Sequence, residues 1–327
     1  MAIRVAINGF GRIGRSVLRA ALSGGYEDIE VVAVNDIARR DMAAYLFEYD
    51  SVFGPWKGEV RLEAGALVVS GHSLRLSGAR DLSAVDLAGI DVVMECTGRA
   101  GDRAVAEAGL RAGAAKVLVS GPALLADYTV VLGANEAGLK PGHRIVSNAS
   151  CTTNALAPLA RLIDRAWGIE TGWMTTIHCY TGSQPTVDAP AADFARSRAA
   201  ALSMVPTTTS AQRLLDVVLP ELAGRIEGAA VRVPTASVSA VDLTVLTRAR
   251  PGRAAVNAVL AAAGGVIGAT ERPLVSSDLR ARSESIVMAL PETHATAGGL
   301  LRVFGWYDNE WGFSNRMLDV ARLMGRV

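Results

Sequence analysis

Hydrophobic positions follow two rhythms along the 327 residues. Over the first 150 they come as short unbroken runs: IRVAIN, EVVAVN, DVVMEC, KVLVS and HRIVSN. Each run has strand length. Segments such as GRSVLRAALS and DRAVAEAGLRAG, which lie between some of them, read as helices. Buried strands alternating with helices predict a parallel sheet covered on both faces. ALVVSG and HSLRLSG add a short hairpin. The second half changes register. GWMTTIHCY, GAAVRVPT, SVSAVDLTVLT, ESIVMAL and LLRVFGWYD are strand-like, and several alternate polar with apolar residues as half-exposed antiparallel strands do. TSAQRLLDVVLPEL and RAAVNAVLAAAGG read as helices between them. The predicted fold is an α/β Rossmann-like domain over 1–150, followed by an α+β domain over 151–313 with a largely antiparallel sheet. In the last segment Met317, Leu318, Ala321, Leu323 and Met324 share a face, so 314–327 should pack back on the first domain. Residues 181–206 begin irregularly, and a stretch of that length is expected to be functional or to lie at an interface.

Composition narrows the picture. Half of the residues are hydrophobic, ample for two cores, and a net charge of +1 gives no footprint for nucleic acid or an anionic membrane. No apolar run reaches the roughly 18–20 residues of a membrane span, and MAIRVAING reads as a strand, not a signal peptide. Cys96, Cys151 and Cys179 have no metal-like spacing, so no metal is expected, and a reducing cytoplasm is the default.

Candidate chemistry enters at two places. VAINGFGRIGRSVLRA sets Gly9, Gly11 and Gly14 between a strand and a helix in G-x-G-x-x-G spacing. Gly9 allows the tight turn, Gly11 lets the backbone approach a pyrophosphate, Gly14 lets the helix pack closely, and the helix N-terminus attracts the anion. The second strand ends at Asp36, 22 residues after Gly14. A carboxylate there binds both adenosine ribose hydroxyls and repels a 2′-phosphate, which favours NAD over NADP. An ordinary βαβ unit with a solvated aspartate shares this outline. The second place is NASCTTNA, where Cys151 opens a helical segment with Ser150 as its N-cap. A helix N-terminus and a nearby imidazolium both stabilise a thiolate, and His178, at a strand end 27 residues on, is the candidate partner. A thiolate beside a histidine can add to an aldehyde carbon, and the histidine can then accept the hydroxyl proton as hydride leaves. With an NAD site, the pair implies aldehyde oxidation through a covalent thioester. Spacing alone leaves packing roles open for both residues. Cys96 and Cys179 read as packing cysteines, and His72, His143 and His294 as structural.

INGFGRIGR, SNASCTTN, VPTTT, RVPT with VSAVDLT, and WYDNEWGFSNRMLD together resemble the phosphorylating glyceraldehyde-3-phosphate dehydrogenase family, from residue 3 to the C-terminus. The resemblance implies that Cys151 forms a thiohemiacetal with glyceraldehyde 3-phosphate, that His178 accepts its proton, and that inorganic phosphate cleaves the resulting thioester to 1,3-bisphosphoglycerate. It implies that Thr181, Arg232 and Ser183 hold the substrate phosphate. Ser150, Arg196 and Thr209 would hold the attacking phosphate, with Thr152 and Ser210 beside them. For NAD it implies Phe10 in the glycine-rich turn, Arg12 and Ile13 on the pyrophosphate through backbone N–H groups, and Asp36 on the ribose. Thr97, Gly98 and Ser120 would line the cleft, Asn309 would orient the nicotinamide carboxamide, and Phe313 would lie near that ring. Ile37 and Pro190 would crowd a 2′-phosphate. The resemblance also implies a homotetramer with residues 181–206 at a subunit interface.

The departures fall around the phosphate and adenine sites. Ser210 replaces a usual glycine, Ala100 an aromatic that flanks adenine, and Pro185 a basic residue. Phe313 stands for a tyrosine, Phe53 for a histidine, and Ala155 for the second cysteine of the usual run. Two alternatives follow. One is the related erythrose-4-phosphate dehydrogenase, which hydrolyses its thioester, and the other is a non-catalytic NAD-binding scaffold.

Overall fold

The computed structural model describes residues 2–191 and 193–327, so Met1, and Ala192 within the 181–206 stretch, lie outside the described residues. The chain forms two compact units. One takes residues 2–130, Glu136–Ala149 and Ser314–Val327, and the other takes Val131–Asn135 and Ser150–Phe313. The change of unit thus falls between 149 and 150, one residue before the expected boundary. The segment 131–135 belongs to the second unit, where Val266 and Pro158 close on Gly133.

The first unit is built on β1 (Ile3–Asn8), α1 (Arg12–Leu22), β2 (Ile29–Asn35), α2 (Arg40–Glu48), β3 (Val60–Glu63), β4 (Ala66–Val69), β5 (His72–Ser77), β6 (Val92–Glu95), α3 (Arg103–Arg111), β7 (Lys116–Val119), β8 (Tyr128–Thr129) and β9 (Ile145–Ser147). Its sheet runs β3-β4-β5-β2-β1-β6-β7-β9-β8. Every pair from β5 to β8 is parallel, while β3, β4 and β5 form an antiparallel meander at one border. The apolar runs are buried as central parallel strands must be: Val5, Val92, Val93, Leu118 and Val146 are sealed from solvent. The border strand β3 is mostly exposed, and its Arg61 pairs with Glu59 and Glu63. β1 lies between β2 and β6, so the order in which successive parallel strands are laid down across the sheet reverses there. That is the topological switch point at which an open α/β sheet leaves a crevice beyond its strand ends.

The second unit contains α4 (Cys151–Trp167), β10 (Ile169–Cys179), β11 (Val205–Thr207), α5 (Ala211–Val218), β12 (Ile226–Val233), β13 (Ser239–Thr247), α6 (Arg253–Ala262), β14 (Ile267–Thr270), β15 (Ile286–Ala289), β16 (His294–Ala295) and β17 (Leu300–Tyr307). The sheet order is β11-β12-β10-β13-β17-β15-β14, with β16 on β17. It is mainly antiparallel, but β10 pairs β12 in parallel and β14 pairs β15 in parallel. β13 buries alternate residues, the pattern its sequence predicts. α4 buries Thr152 through Ala160 without a break. The final helix, α7 (Trp311–Arg326), sinks Met317, Leu318, Val320, Ala321 and Met324. Within the first unit Arg322 of this helix pairs with Asp28, and Lys116 Nζ donates to the carbonyls of Met324 and Val327 at 2.8 and 3.0 Å.

Candidate functional site

In the first unit the glycine-rich turn leaves β1 and enters α1. Gly9 has φ of 92°, and a Cβ there would lie 2.7 Å from the Cys96 backbone. A Cβ on Gly14 would lie 2.1 Å from the Gly9 carbonyl oxygen, so the turn and helix pack to contact. Gly11 faces open space, and no side chain caps the start of α1. That combination is a cradle an anion can approach. The Asp36 carboxylate accepts the backbone N–H of Phe10 and, at 2.8 Å, that of Ala38. It stands beside Gly9, Gly11 and Thr97 in the wall of a cavity of about 440 Å³, with Ile37, Arg80 and Arg99 further along. These features fit a dinucleotide: glycine backbone for the pyrophosphate and a carboxylate for the ribose.

The other expected residues of this cradle fall outside the cavity wall. Phe10 stacks on Phe47 with ring centroids 6.0 Å apart. The Arg12 side chain pairs with Asp50 and lies over Phe53, which leaves its backbone for the role expected of it. Ile13 and Gly14 belong to the first turn of α1, Gly98 turns the chain with φ of 73°, and Ser120 bonds the Cys96 thiol. Ala100 is buried.

In the second unit Ser150 caps α4: its hydroxyl accepts the Thr153 N–H at 3.1 Å and pairs with the Thr153 hydroxyl at 2.7 Å. The cap sets Cys151 in the first turn. His178 lies near the end of β10, and its Nε2 is 3.6 Å from Cys151 Sγ. Its Nδ1 lies 2.7 Å from the Cys179 carbonyl, and the tautomer that donates to that carbonyl turns the Nε2 lone pair toward the sulfur. The parallel register of β10 and β12 sets Arg232 beside His178. One guanidinium nitrogen of Arg232 lies 2.9 Å from Nδ1 and donates to the Cys179 carbonyl at 3.1 Å.

These surroundings work against the expected thiolate–imidazolium pair. Burial, and then the Arg232 charge, lower the His178 pKa to about 4, against the pull of the Cys179 carbonyl. Burial pushes the Cys151 thiol up, opposed by its hydrogen bonds to Thr152 and by Arg232. Both shifts favour a neutral thiol and a neutral imidazole over the charged pair in the chain without bound cofactor or substrate.

Three residues without an expected role complete the surround. The Tyr307 hydroxyl bonds both Thr152 and Thr176 at 2.8 Å, and its ring meets His178 edge-on at 6.0 Å. The Cys179 thiol, expected only to pack, donates to Asn309 Oδ1 at 3.1 Å, and Ser239 reaches the same oxygen at 3.4 Å. Ser239 follows Val238, a β-branched residue at φ of 65°, where steric strain is high. Tyr307 lies within WYDNEWGFSNRMLD, one of the runs that carried the resemblance, and only its position hinted at it.

The expected phosphate groups are placed separately. Thr181 and Ser183 share a hydroxyl contact at 2.9 Å, Arg196 donates to the Thr207 hydroxyl at 2.6 Å, and the Thr209 hydroxyl accepts the Ala211 N–H that opens α5. Ser210 precedes that helix without capping it. Among the described residues no hydrogen bond joins Thr181, Ser183, Arg196, Thr209 or Ser210 to Cys151, whereas Thr152 does bond it. Phe313 is buried, and Pro185 accepts the Ala200 N–H. Among the described residues there is no cluster fit for a metal, and no helix is long and apolar enough to cross a membrane.

The two units define a class: a dinucleotide-binding α/β domain joined to a domain that carries a cysteine–histidine pair at a helix start. Comparison with known proteins narrows it. The family model described as glyceraldehyde 3-phosphate dehydrogenase, NAD binding domain, matches residues 3–103, and that of the C-terminal domain matches residues 150–309. The chain is 48% identical to the glyceraldehyde-3-phosphate dehydrogenase of Xanthobacter flavus and 47% identical to that of Cereibacter sphaeroides, each over the whole of both chains. It is 48% identical to that of Pseudomonas aeruginosa over 98% of each chain. The chain belongs to the glyceraldehyde-3-phosphate dehydrogenase family.

Proposed function

We propose that Cys151 and His178 carry out the oxidation of glyceraldehyde 3-phosphate through a thioester. The chain is an NAD-dependent oxidoreductase of the glyceraldehyde-3-phosphate dehydrogenase type. The observation that carries the residue assignment is the 3.6 Å approach of Cys151 Sγ to an Nε2 whose ring is oriented through Nδ1 by a backbone carbonyl.

As Sγ bonds to the aldehyde carbon, Nε2 takes the thiol proton and returns it to the carbonyl oxygen, giving a thiohemiacetal. Nε2 next takes the hydroxyl proton while hydride leaves the same carbon, and the thioester results. NAD, when bound, supplies the hydride acceptor. A phosphate oxygen then bonds to the acyl carbon, the C–S bond breaks, and 1,3-bisphosphoglycerate leaves. Gly9, Gly11, Gly14 and Asp36 hold NAD, with Phe10, Arg12, Ile13, Thr97, Gly98 and Ser120 around them and Asn309 and Phe313 toward the nicotinamide. Arg232, Thr181 and Ser183 hold the substrate phosphate. Ser150, Thr152, Arg196, Thr209 and Ser210 hold the attacking one. Hydroxyls and guanidinium forks suit phosphate oxygens.

The chain acts as a cytoplasmic homotetramer. All three cysteines are free thiols, which suits a reducing compartment. Val187, Phe194, Leu202 and Met204 stand 71–96% exposed in the 181–206 stretch, as residues awaiting a neighbouring subunit would. NAD reduction with glyceraldehyde 3-phosphate, run with and without inorganic phosphate, tests the reaction. Turnover indifferent to phosphate would transfer the assignment to thioester hydrolysis, the erythrose-4-phosphate type, and no turnover would leave a scaffold. Light scattering tests the tetramer.

A further inference from the structure

Glu95, at the end of β6, is 1% exposed. One of its carboxylate oxygens accepts the Thr97 N–H at 2.9 Å and the Thr97 hydroxyl. The other accepts an N–H of the Asn8 amide. Asn8 Oδ1 accepts the Asn35 amide at 2.8 Å, and Asn35 Oδ1 accepts the Ser77 hydroxyl at 2.8 Å and the Ala79 N–H at 2.9 Å. Asn35 Nδ2 also reaches the Ala79 carbonyl at 3.0 Å. The bonds thus tie together the ends of β1, β2, β5 and β6, directly under the cavity that Asn8, Asn35, Thr97 and Ala79 help to line.

The chain of bonds has one possible polarity. At one end a carboxylate can only accept. At the other a backbone N–H can only donate. Between them each asparagine amide must turn its NH2 toward Glu95 and its oxygen toward Ala79. Neither amide can flip without setting two donors, or two acceptors, face to face in a buried place.

We infer that Glu95 is a positioning residue for the dinucleotide cradle. It fixes the orientation of both asparagine amides, and through them the placement of Gly9, Thr97 and the 79–82 segment against the cofactor. The inference rests on NAD binding at residues 9–14 and Asp36. No residue of the Cys151 site takes part in the network, so its effect is confined to the cofactor.

The test is a pair of substitutions. Glu95→Gln puts an amide where only acceptors fit. Whichever way the new amide turns, it meets a donor of Thr97 or of Asn8. NAD affinity, measured by quenching of intrinsic fluorescence, should weaken about tenfold, and the KM for NAD should rise in step. The rate of Cys151 alkylation without NAD should not change. Asn8→Asp alone sets two carboxylates face to face and should also be defective. The double variant Asn8→Asp/Glu95→Gln restores the sequence of donors and acceptors with the acid moved one place: the carboxylate now at position 8 would accept from both the new amide at position 95 and the amide of Asn35. It should bind NAD more tightly than either single variant, and fold where a single variant does not. A double variant no better than the singles overturns the inference, as does an unchanged NAD affinity in Glu95→Gln. Asp36→Asn separates the two readings. If it weakens NAD binding and Glu95→Gln does not, only the inference fails; if it has no effect, the cradle itself is misplaced and the inference falls with it.

Discussion

Replacing Arg232 by glutamine should raise the pKa of His178, and the structure sets how far. Two effects hold that imidazole near a pKa of about 4, burial first and the Arg232 charge second. The guanidinium approaches Nδ1 to 2.9 Å. Two unit charges about 4 Å apart interact by about 1 kcal/mol in water and about 4 kcal/mol in surroundings of effective dielectric about 20, which is about one to three pKa units. Glutamine keeps a donor for the Cys179 carbonyl and removes only the charge. His178 should therefore rise to about 5–6 and stay below the free value of about 6.5, because burial remains. The chain has four histidines, so an NMR titration of histidine-labelled protein is tractable, and His178→Asn assigns the resonance. A pKa that stays at about 4 would show that the charge is irrelevant, and one above about 6.5 would show that burial is. The Arg232 charge also bears on catalysis. A substrate phosphate seated on Arg232 would cancel much of that charge, so glycerol 3-phosphate, which lacks the aldehyde, should move the wild-type resonance in the same direction. Substrate binding would then strengthen the base that the reaction needs.

Three further outcomes are expected. His178 has a folded pKa of about 4, below its unfolded value, so the unfolded chain binds the extra proton between about pH 6.5 and 4. Its contribution is present above about pH 6.5 and falls by up to about 3 kcal/mol as pH drops through that window, so urea midpoints should decline less steeply there in His178→Asn than in wild type. Gly14→Ala drives a methyl to 2.1 Å from a backbone oxygen, so the turn must move; equilibrium dialysis should find NAD binding lost or severely weakened in a protein destabilised by about 1–3 kcal/mol. Tyr307→Phe leaves the Thr152 and Thr176 hydroxyls without their shared partner. It should cost about 1–3 kcal/mol in denaturant unfolding and slow Cys151 alkylation, and unchanged values for both would refute a role for the hydroxyl.

The alternation of buried strands and helices in the first unit is visible in the chain because central parallel strands are apolar on both faces. The hairpin of β4 and β5 is visible because a short apolar run is followed, after a turn, by a strand that alternates polar with apolar residues. β8 and β16, two residues each, are too short to carry any period. α2 is masked by its surface, since Met42, Tyr45, Leu46 and Tyr49 stand exposed and blur its polar face. At the site, the cap by Ser150 is a local event and reads directly from sequence. The company of His178 does not. Arg232 arrives through strand register 54 residues away, Tyr307 through a hydroxyl that spans helix and sheet, and the neutral state of the imidazole depends on burial and on that arginine.

β3, at the outer border of the first sheet, has a further consequence. A sheet edge offers unpaired backbone groups to any strand that passes, and half of this chain is hydrophobic. The Arg61 guanidinium held between Glu59 and Glu63 lines that border with alternating charges. A second chain laid against it would have to strip water from all three ionic groups before forming one backbone bond. The rim thus acts as a guard against fibrillar stacking, and neutralising Glu59 and Glu63 together should shorten the lag before the protein aggregates on storage.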